Sequence, residues 1–175
     1  MPSAWPERSF EAVVLPHLDA AYNLARYLMR DIDAAEDVLQ QAMVRALTYF
    51  GSFKGGNARA WLLQVVRNTA YSSIKLNRGM QTVPLEEMAE GVEALTAEGD
   101  TPEVALIKGQ DRFRVRELLA GLPVELRETL LLREFEELSY KEVATVTGVP
   151  IGTVMSRLWR ARRMLAQAAR ASAET

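Results

Sequence analysis

Apolar residues recur every three to four positions along most of the chain, which is the spacing of helices that bury one face. No segment alternates apolar and polar residues as a half-buried strand does, and the sequence has no internal repeat. The pattern therefore predicts an all-α protein. With turn and cap residues taken into account, we predict helices over residues 9–29 (with Pro16 kinking it or starting its longer part), about 33–49 (with Asp31 or Asp33 as N-cap), 58–77, 101–120, 123–137, 139–148 and 150–165.

The stretch from Ser139 to Leu165 predicts a helix, a tight turn and a second helix. Ser139 and Glu142 fit a capping box, in which each side chain bonds the backbone N–H of the other residue. Gly148 suits the left-handed residue that ends a helix, and Pro150 with the residue after it suits the start of the next one. The stretch therefore predicts a helix-turn-helix. The helix before it is expected to pack under this motif through Leu126, Leu130, Leu131 and Phe135.

The second helix of this motif separates two kinds of side chain. Its apolar stripe consists of Val154, Leu158, Ala161 and Leu165. The opposite side, including one flanking arginine, consists of Gly152, Met155, Ser156, Arg157, Trp159, Arg160 and Arg163. No acidic residue occurs between Val143 and Ala173, so this side favours a helix presented to DNA. The alternative is a helical hairpin with a solvated basic face and a packed Trp159.

Residues 51–57, which include paired glycines, predict a loop, and Asn57 is the expected N-cap of the next helix. That predicted helix, over 58–77, also has two distinct sides. Leu62, Leu63, Val66 and Ala70 form its apolar side. The other side consists of Trp61, Gln64, Asn68, Tyr71 and Lys75, with Arg67 and Arg78 at its edge. Surfaces that bind single strands combine aromatic rings, which stack on bases, with cations, which bind phosphates. The alternative is that Trp61 and Tyr71 pack against the first helix.

The helix predicted before it, over 33–49, has an apolar face that consists of Ala35, Leu39, Ala42, Met43, Ala46 and Phe50. Its opposite side is acidic and amidic rather than mixed in charge. This side contains Asp33, Asp37, Gln40, Gln41, Val44 and Thr48. It is compatible with a protein-docking surface, and equally with an ordinary solvated helix surface.

Composition excludes several classes of site. The 175 residues include no cysteine and one histidine, His17, so disulfides, thiolate sites and a His/Cys zinc site are excluded. We find no combination of nucleophile, base and metal ligand, and we predict no enzyme activity, no cofactor and no metal. No apolar run approaches the ~20 residues that span a bilayer, and the amino terminus lacks the pattern of a signal peptide. We therefore expect a cytoplasmic protein.

The net charge of −2 conceals a block pattern. Residues 51–84 contain bases and no acid, residues 80–107 contain acids and no base, and the carboxyl end is basic again. Together with the helix start at Thr101-Pro102, this predicts two small helical domains, 1–79 and 102–175, joined by an acidic linker over 80–101.

Four stretches in this order resemble the bacterial RNA polymerase sigma factors of the extracytoplasmic-function group. They are DAAEDVLQQAMVRAL (33–47), FKGGNARAWLLQVVRNTA (53–70), LPVELRETLLLREFEELSYKEVA (122–144) and GVPIGTVMSRLWRARRML (148–165). They resemble regions two and four of that family and cover most of the chain. The resemblance implies a non-catalytic factor that binds core RNA polymerase and promoter DNA.

The resemblance also implies roles for individual residues. Docking on the polymerase clamp falls to Asp37, Gln40, Gln41 and Val44. Recognition and melting of the minus-ten element fall to Phe53, Lys54, Gly56, Asn57, Arg59, Trp61, Gln64, Arg67, Asn68, Tyr71 and Lys75. Reading of the minus-thirty-five element falls to Thr153, Met155, Ser156, Arg157, Trp159, Arg160 and Arg163. Met155 is apolar at a position where many relatives have a basic residue.

Further implications of the resemblance concern the connector and a regulatory partner. The acidic connector is expected to thread toward the polymerase active-site cleft, and an anti-sigma factor is an expected partner. Two other hypotheses stay open. One is an autonomous helix-turn-helix regulator that binds a palindromic site as a dimer. The other is a sigma mimic that only sequesters an anti-sigma factor.

Overall fold

The computed structural model describes residues 9–78 and 112–174, and all regular secondary structure in these two ranges is helical. The predicted all-α class is thereby confirmed. The chain divides into two compact units, Met1–Asn77 and Arg78–Thr175. The predicted linker over 80–101, the first part of the helix predicted over 101–120 and Gly79 lie outside the described residues.

In the first unit, proline divides the amino-terminal helix that the sequence predicts. Pro16 lies in a 3₁₀ turn, where its missing N–H costs no α-helical hydrogen bond, and the longer helix begins just after it. The elements are α1 (Phe10–Val14), the 3₁₀ turn Leu15–His17, α2 (Leu18–Leu28), α3 (Ile32–Thr48), a second 3₁₀ turn Phe50–Ser52, and α4 (Ala58–Arg78).

Side-chain caps fix the starts of three of these helices. Ser9 accepts a hydrogen bond from the Ala12 N–H at 3.2 Å, which starts α1. Asp31, and not Asp33, caps α3 by accepting from the Ala34 N–H at 2.7 Å. Asn57 caps α4 as predicted, because the Ala60 N–H donates to its Oδ1 at 3.0 Å.

The core of the first unit lies between α2, α3 and α4. The predicted apolar side of α4 is buried in full. On α3 the buried residues are mainly alanines, which leaves room for α2 to pack closely against it. Val38 is also buried, although the predicted apolar face did not include it, whereas Leu39 and Met43 are only half-buried.

The second unit contains four helices in its described part. They are α5 (Arg112–Ala120), α6 (Val124–Leu130) with a π-helical continuation over Leu131–Phe135, α7 (Tyr140–Thr147) and α8 (Ile151–Ala173). α5, α6 and α7 all pack against the long α8. Pro123 and Pro150 occupy the N-cap positions of α6 and α8 in extended conformations, one residue earlier than the first helical position.

The predicted helix-turn-helix is confirmed in its local chemistry. Ser139 and Glu142 form the reciprocal capping box, with both hydrogen bonds at 3.0 Å. Gly148 ends α7 at φ 73°, and its N–H donates to the Ala144 carbonyl at 2.8 Å. A residue with a Cβ is strained at that φ, so glycine is the residue that fits this turn.

The five-residue π-helical segment before α7 was not predicted. Arg133 leaves this segment and donates from Nη1 to the Leu138 carbonyl at 2.9 Å, while its guanidinium lies 4.4 Å from the centre of the Tyr140 ring. Glu137, between them, has a left-handed φ of 56°. The side chain of Arg133 thus joins the end of the π segment to the start of α7.

The core of the second unit is leucine-rich. The predicted stripe on α8 is buried, and so are Leu126, Leu130 and Leu131 of α6 and its π-helical continuation. Phe135, which was expected to pack with them, is only half-buried, because the π-helical turn changes the register of that side chain. α8 extends beyond the predicted motif, with Ala166 and Ala169 also buried.

Candidate nucleic-acid interface

The side of α8 opposite the buried stripe lies at the surface of the second unit. Arg163 is exposed, and its guanidinium lies 5.1 Å from the centre of the Trp159 ring. The remaining predicted residues, Thr153, Met155, Ser156, Arg157, Trp159 and Arg160, are all half-buried. Because no acidic residue is present from 143 to 173, this surface is cationic and rich in donors.

The arginines of α8 do not all share that environment. Arg162 packs inward, and both its Nε, at 3.1 Å, and its Nη2 donate to Glu134 Oε1 of the π-helical segment. The side chains of Arg162 and Glu134 are 12% and 6% exposed. Arg157 is intermediate: its Nη1 is buried and has no hydrogen-bond partner within the described part of the chain. Of the four arginines over residues 157–163, Arg157, Arg160 and Arg163 lie on the side that the sequence selects, and Arg162 does not.

The polar side of α4 brings together cations, amides and a ring. Arg67 lies over Tyr71, 3.9 Å from the ring centre, and donates to Asn68 Oδ1 at 3.4 Å. Asn68 and Lys75 are exposed, while Gln64, Arg67 and Tyr71 are half-buried. One face of the Tyr71 ring is therefore covered by the Arg67 guanidinium. A base that stacked on this pair would meet the aromatic ring and the positive charge together.

The predicted loop before α4 begins at an aromatic cluster. Phe50 stacks on Phe53 at 6.2 Å between ring centres, and Trp61 lies 5.3 Å from Phe53 and 6.3 Å from Phe50. Phe10 of α1 completes the cluster, edge-on to Phe50 at 5.5 Å. Trp61 is thus half-buried against Phe53 of the loop and Phe50 of the second 3₁₀ turn. Phe50 in turn connects it to Phe10 of the first helix.

The rest of the loop projects from this cluster. Lys54, Gly55, Gly56 and Asn57 are exposed, and both glycines have φ 93°. A Cβ at either glycine would meet no heavy atom within 4 Å, so these glycines serve the backbone conformation rather than close packing. The predicted residues of this loop and of α4 therefore occupy one continuous segment, although Phe53 and Trp61 anchor it rather than project from it.

Arg59, the first cation of α4, influences a neighbouring histidine. Partial burial and then the positive charge of Arg59 lower the pKa of His17 from its ordinary value. The lowered pKa favours the neutral form of the His17 imidazole.

The predicted docking side of α3 is exposed. Asp37 accepts a hydrogen bond from Gln41 Nε2 at 3.0 Å, and Val44 is 65% exposed. Leu47, one turn further along, is 60% exposed, although sequence reasoning did not include it. Two exposed aliphatic side chains therefore lie near amides and carboxylates on α3.

Other groups that support these surfaces were also missed. Glu134 and Arg162 are 28 positions apart, and Phe10 and Phe50 are 40 apart, so neither pairing has a local sequence signal. Ile151, 45% exposed at the start of α8, had a local signal: an apolar residue outside the buried stripe.

Two absences hold for the ranges 9–78 and 112–174. No cluster of three or more histidines, cysteines or carboxylates is placed to hold a metal ion there. In the same ranges, no helix is long and apolar enough to cross a membrane.

Comparison with known families supports the assignment of both units. The model of sigma-70 region 2 matches residues 13–79, and the model of sigma-70 region 4 matches residues 112–165. These ranges contain the α3 and α4 surfaces in the first unit and the helix-turn-helix in the second.

Similar proteins extend the match over nearly the whole chain. The RNA polymerase sigma-H factor of Pseudomonas aeruginosa is 35% identical over 170 residues, covering 93% of this chain and 86% of that protein. The extracytoplasmic-function sigma-E factor of Haemophilus influenzae is 34% identical over 147 residues, covering 81% and 77%. The sigma factor RpoE of Bartonella quintana, solved with the anti-sigma factor NepR, aligns over 90% of this chain and 94% of its own with a TM-score of 0.70 and 29% identity. The chain thus belongs to the sigma-70 family, in its extracytoplasmic-function group of RNA polymerase sigma factors.

Proposed function

We propose that this protein binds core RNA polymerase in the cytoplasm, directs it to promoters with defined minus-ten and minus-thirty-five elements, and initiates transcription without catalysing a reaction itself. The observation that supports this most directly is α8. A capped helix-turn-helix holds its apolar stripe in the core, and its cationic side remains at the surface. This is the geometry of a helix that enters the major groove.

The two units then have different tasks. The proposed minus-thirty-five reader is the domain 102–175, with Thr153, Met155, Ser156 and Trp159 toward the bases, and Arg157, Arg160 and Arg163 toward bases and phosphates. The proposed minus-ten unit is the domain 1–79. Its loop over 53–57 would receive an extruded base, and the remaining contacts would come from Arg59, Trp61, Gln64, Arg67, Asn68, Tyr71 and Lys75.

Strand opening sets the energy scale for the second task. Extruding a base costs a few kcal/mol of stacking and pairing. Stacking on an aromatic side chain returns ~1–3 kcal/mol for each base. The Arg67–Tyr71 pair and the exposed Lys75 supply a stacking surface and phosphate charge along one side of α4. A few such contacts are sufficient to offset the opening of a short segment.

Polymerase docking would use Asp37, Gln40, Gln41 and Val44 on α3, and we add Leu47 to this set because of its exposure. The linker over 80–101 would join the two domains on the polymerase. An anti-sigma factor is the proposed regulatory partner, in line with the relative solved in complex with one. No cofactor enters this mechanism.

Run-off transcription with core polymerase from the source bacterium tests the proposal on a library of its genomic promoters. Wild-type protein should give promoter-dependent transcripts. Arg160→Ala should lower their yield by about tenfold, because one arginine contact to a base contributes ~1–3 kcal/mol. Arg170→Ala is the matched control: it removes an arginine, here an exposed one, ten residues or ~15 Å further along α8.

Two measurements separate the alternatives: the same transcription assay, and a DNA-binding assay without core polymerase. A sigma mimic would give no transcript with any promoter, and that result would overturn the proposal. An autonomous regulator would bind duplex DNA as a dimer in the absence of core polymerase, which the proposal does not allow.

A further inference from the structure

The first two turns of α8 have an unusual composition for a helix that reads DNA. Residues 151–156, Ile-Gly-Thr-Val-Met-Ser, include no charged and no amide side chain. In a helix-turn-helix, the amino-terminal residues of the second helix contact the base edges. Guanine is usually read by arginine or lysine and adenine by asparagine or glutamine. None of these residue types is available in these two turns.

Apolar groups occupy the surface there instead. Ile151, the first residue of the helix, is 45% exposed. Met155 lies four positions later and is half-buried. Residues four apart lie on one side of a helix, one turn from each other. Between them, Gly152 has no heavy atom within 4 Å of the position that a Cβ would take. We name Ile151 and Met155 the apolar ridge.

The surroundings of the apolar ridge indicate which kind of partner covers it. Arg157, Arg160 and Arg163 follow on the same helix, and no acidic residue occurs from 143 to 173. This charge complements a polyanion and disfavours a basic protein surface. In the major groove of DNA, the apolar group available for contact is the C5-methyl of thymine.

We propose that the apolar ridge recognises thymine methyl groups in the minus-thirty-five element. This rests on the proposed function, and it specifies how the promoter is read. Specificity at the positions that the apolar ridge contacts comes from apolar contact, while the arginines that follow contact phosphates and bases elsewhere in the element. The recognised base is then thymine, and its discrimination depends on one methyl group rather than on a hydrogen bond.

The test removes that methyl group without changing base pairing. Each thymine of the minus-thirty-five element, on both strands, is replaced singly by deoxyuridine in a promoter that is active in run-off transcription. The affinity of the holoenzyme for each duplex is then measured by competition. One or two positions should lose about fourfold in affinity, the fold-change that corresponds to ~0.8 kcal/mol for one buried methyl-sized group.

Variants of the apolar ridge assign the effect to its side chains. Met155→Ala and Ile151→Ala should each remove the difference between thymine and deoxyuridine at one of the sensitive positions. Met164→Ala is the matched control: Met164 is 39% exposed on the same helix, nine residues or about half a helical turn away in angle from Met155, and it should leave the difference unchanged.

The outcomes separate the inference from the proposed function. A holoenzyme that selects the promoter but binds every deoxyuridine duplex as tightly as the original overturns the inference alone. Sensitivity that persists in both Met155→Ala and Ile151→Ala also overturns it. A holoenzyme that selects no promoter overturns the proposed function, and the inference with it.

Discussion

Arg162 and Arg163 are adjacent in the sequence, yet their side chains lie in different surroundings. Arg163 is exposed beside Trp159, whereas Arg162 is enclosed with Glu134. A buried charge is tolerated only where a partner and hydrogen bonds replace water. Arg162 therefore contributes to the packing of α8 on the π-helical segment, and it is not available to DNA.

Replacing Glu134 tests this assignment. Glu134→Ala leaves the Arg162 guanidinium largely buried without its carboxylate, so the second unit should lose about 3 kcal/mol of unfolding free energy. The measurement is thermal unfolding by calorimetry. Glu117→Ala, which removes an exposed carboxylate from α5, should change the unfolding free energy by less than ~0.5 kcal/mol.

A double replacement distinguishes loss of the pair from loss of volume. Glu134→Leu combined with Arg162→Met fills the site with apolar groups, and it should be less destabilising than either single change. If the double variant were as unstable as the sum of both singles, the ion pair would not be the source of the effect.

At the scale of elements, capping chemistry was readable from the sequence and long-range pairing was not. Ser139, Glu142 and Gly148 act on backbone groups within a few residues, so their roles follow from local rules. The buried stripe of α8 follows equally from helical spacing. The π-helical turn has no such signal: Glu134 in this turn pairs with Arg162, which lies 28 positions away, and a contact of that range cannot be read from local rules.

The loop over 53–57 illustrates the same division. Its paired glycines marked a loop in the sequence, and their φ values of 93° agree with that prediction. The aromatic cluster that anchors it could not be predicted, since Phe10 reaches Phe50 only after α1 and the second 3₁₀ turn have come together. The loop itself was therefore predictable from the sequence, but the aromatic cluster that supports it was not.

This support gives a prediction for α1. Phe10→Ala removes the edge-to-face contact with Phe50, a kind of pair that contributes ~0.5–1.5 kcal/mol beyond burial. Local opening of the second 3₁₀ turn should become easier, and hydrogen exchange of the Ser52 and Phe53 amides should accelerate about two- to tenfold. Both amides donate within this turn, to the carbonyls of Tyr49 and Phe50.

The control for this change is a phenylalanine whose side chain is mostly exposed. Phe113→Ala removes a ring that is 71% exposed in the second unit, and it should leave exchange at Ser52 and Phe53 unchanged. If exchange at these two amides were the same in Phe10→Ala and wild type, α1 would not support the loop.

At the scale of the whole molecule, function depends on two modest surfaces rather than one strong one. The protein has a formal net charge of −2, so its field as a whole does not attract DNA. Each cationic surface involves a single helix and its neighbouring loop or turn, which limits the number of phosphates that it can neutralise. Joining both on a polymerase converts the second contact into an intramolecular one and raises its effective concentration.

The last prediction follows from this division of affinity. The free protein should bind duplex promoter DNA only in the nonspecific range, with a Kd on the order of 10⁻⁴–10⁻⁶ M at physiological salt. It should prefer the promoter over a scrambled duplex of equal length by less than about tenfold. Fluorescence anisotropy across a salt series measures both quantities, and adding core polymerase should restore strong preference for the promoter. A tight and sequence-specific complex of the free protein with the promoter would contradict the division, because one unit alone would then supply the specificity that is assigned here to both units acting together on the polymerase.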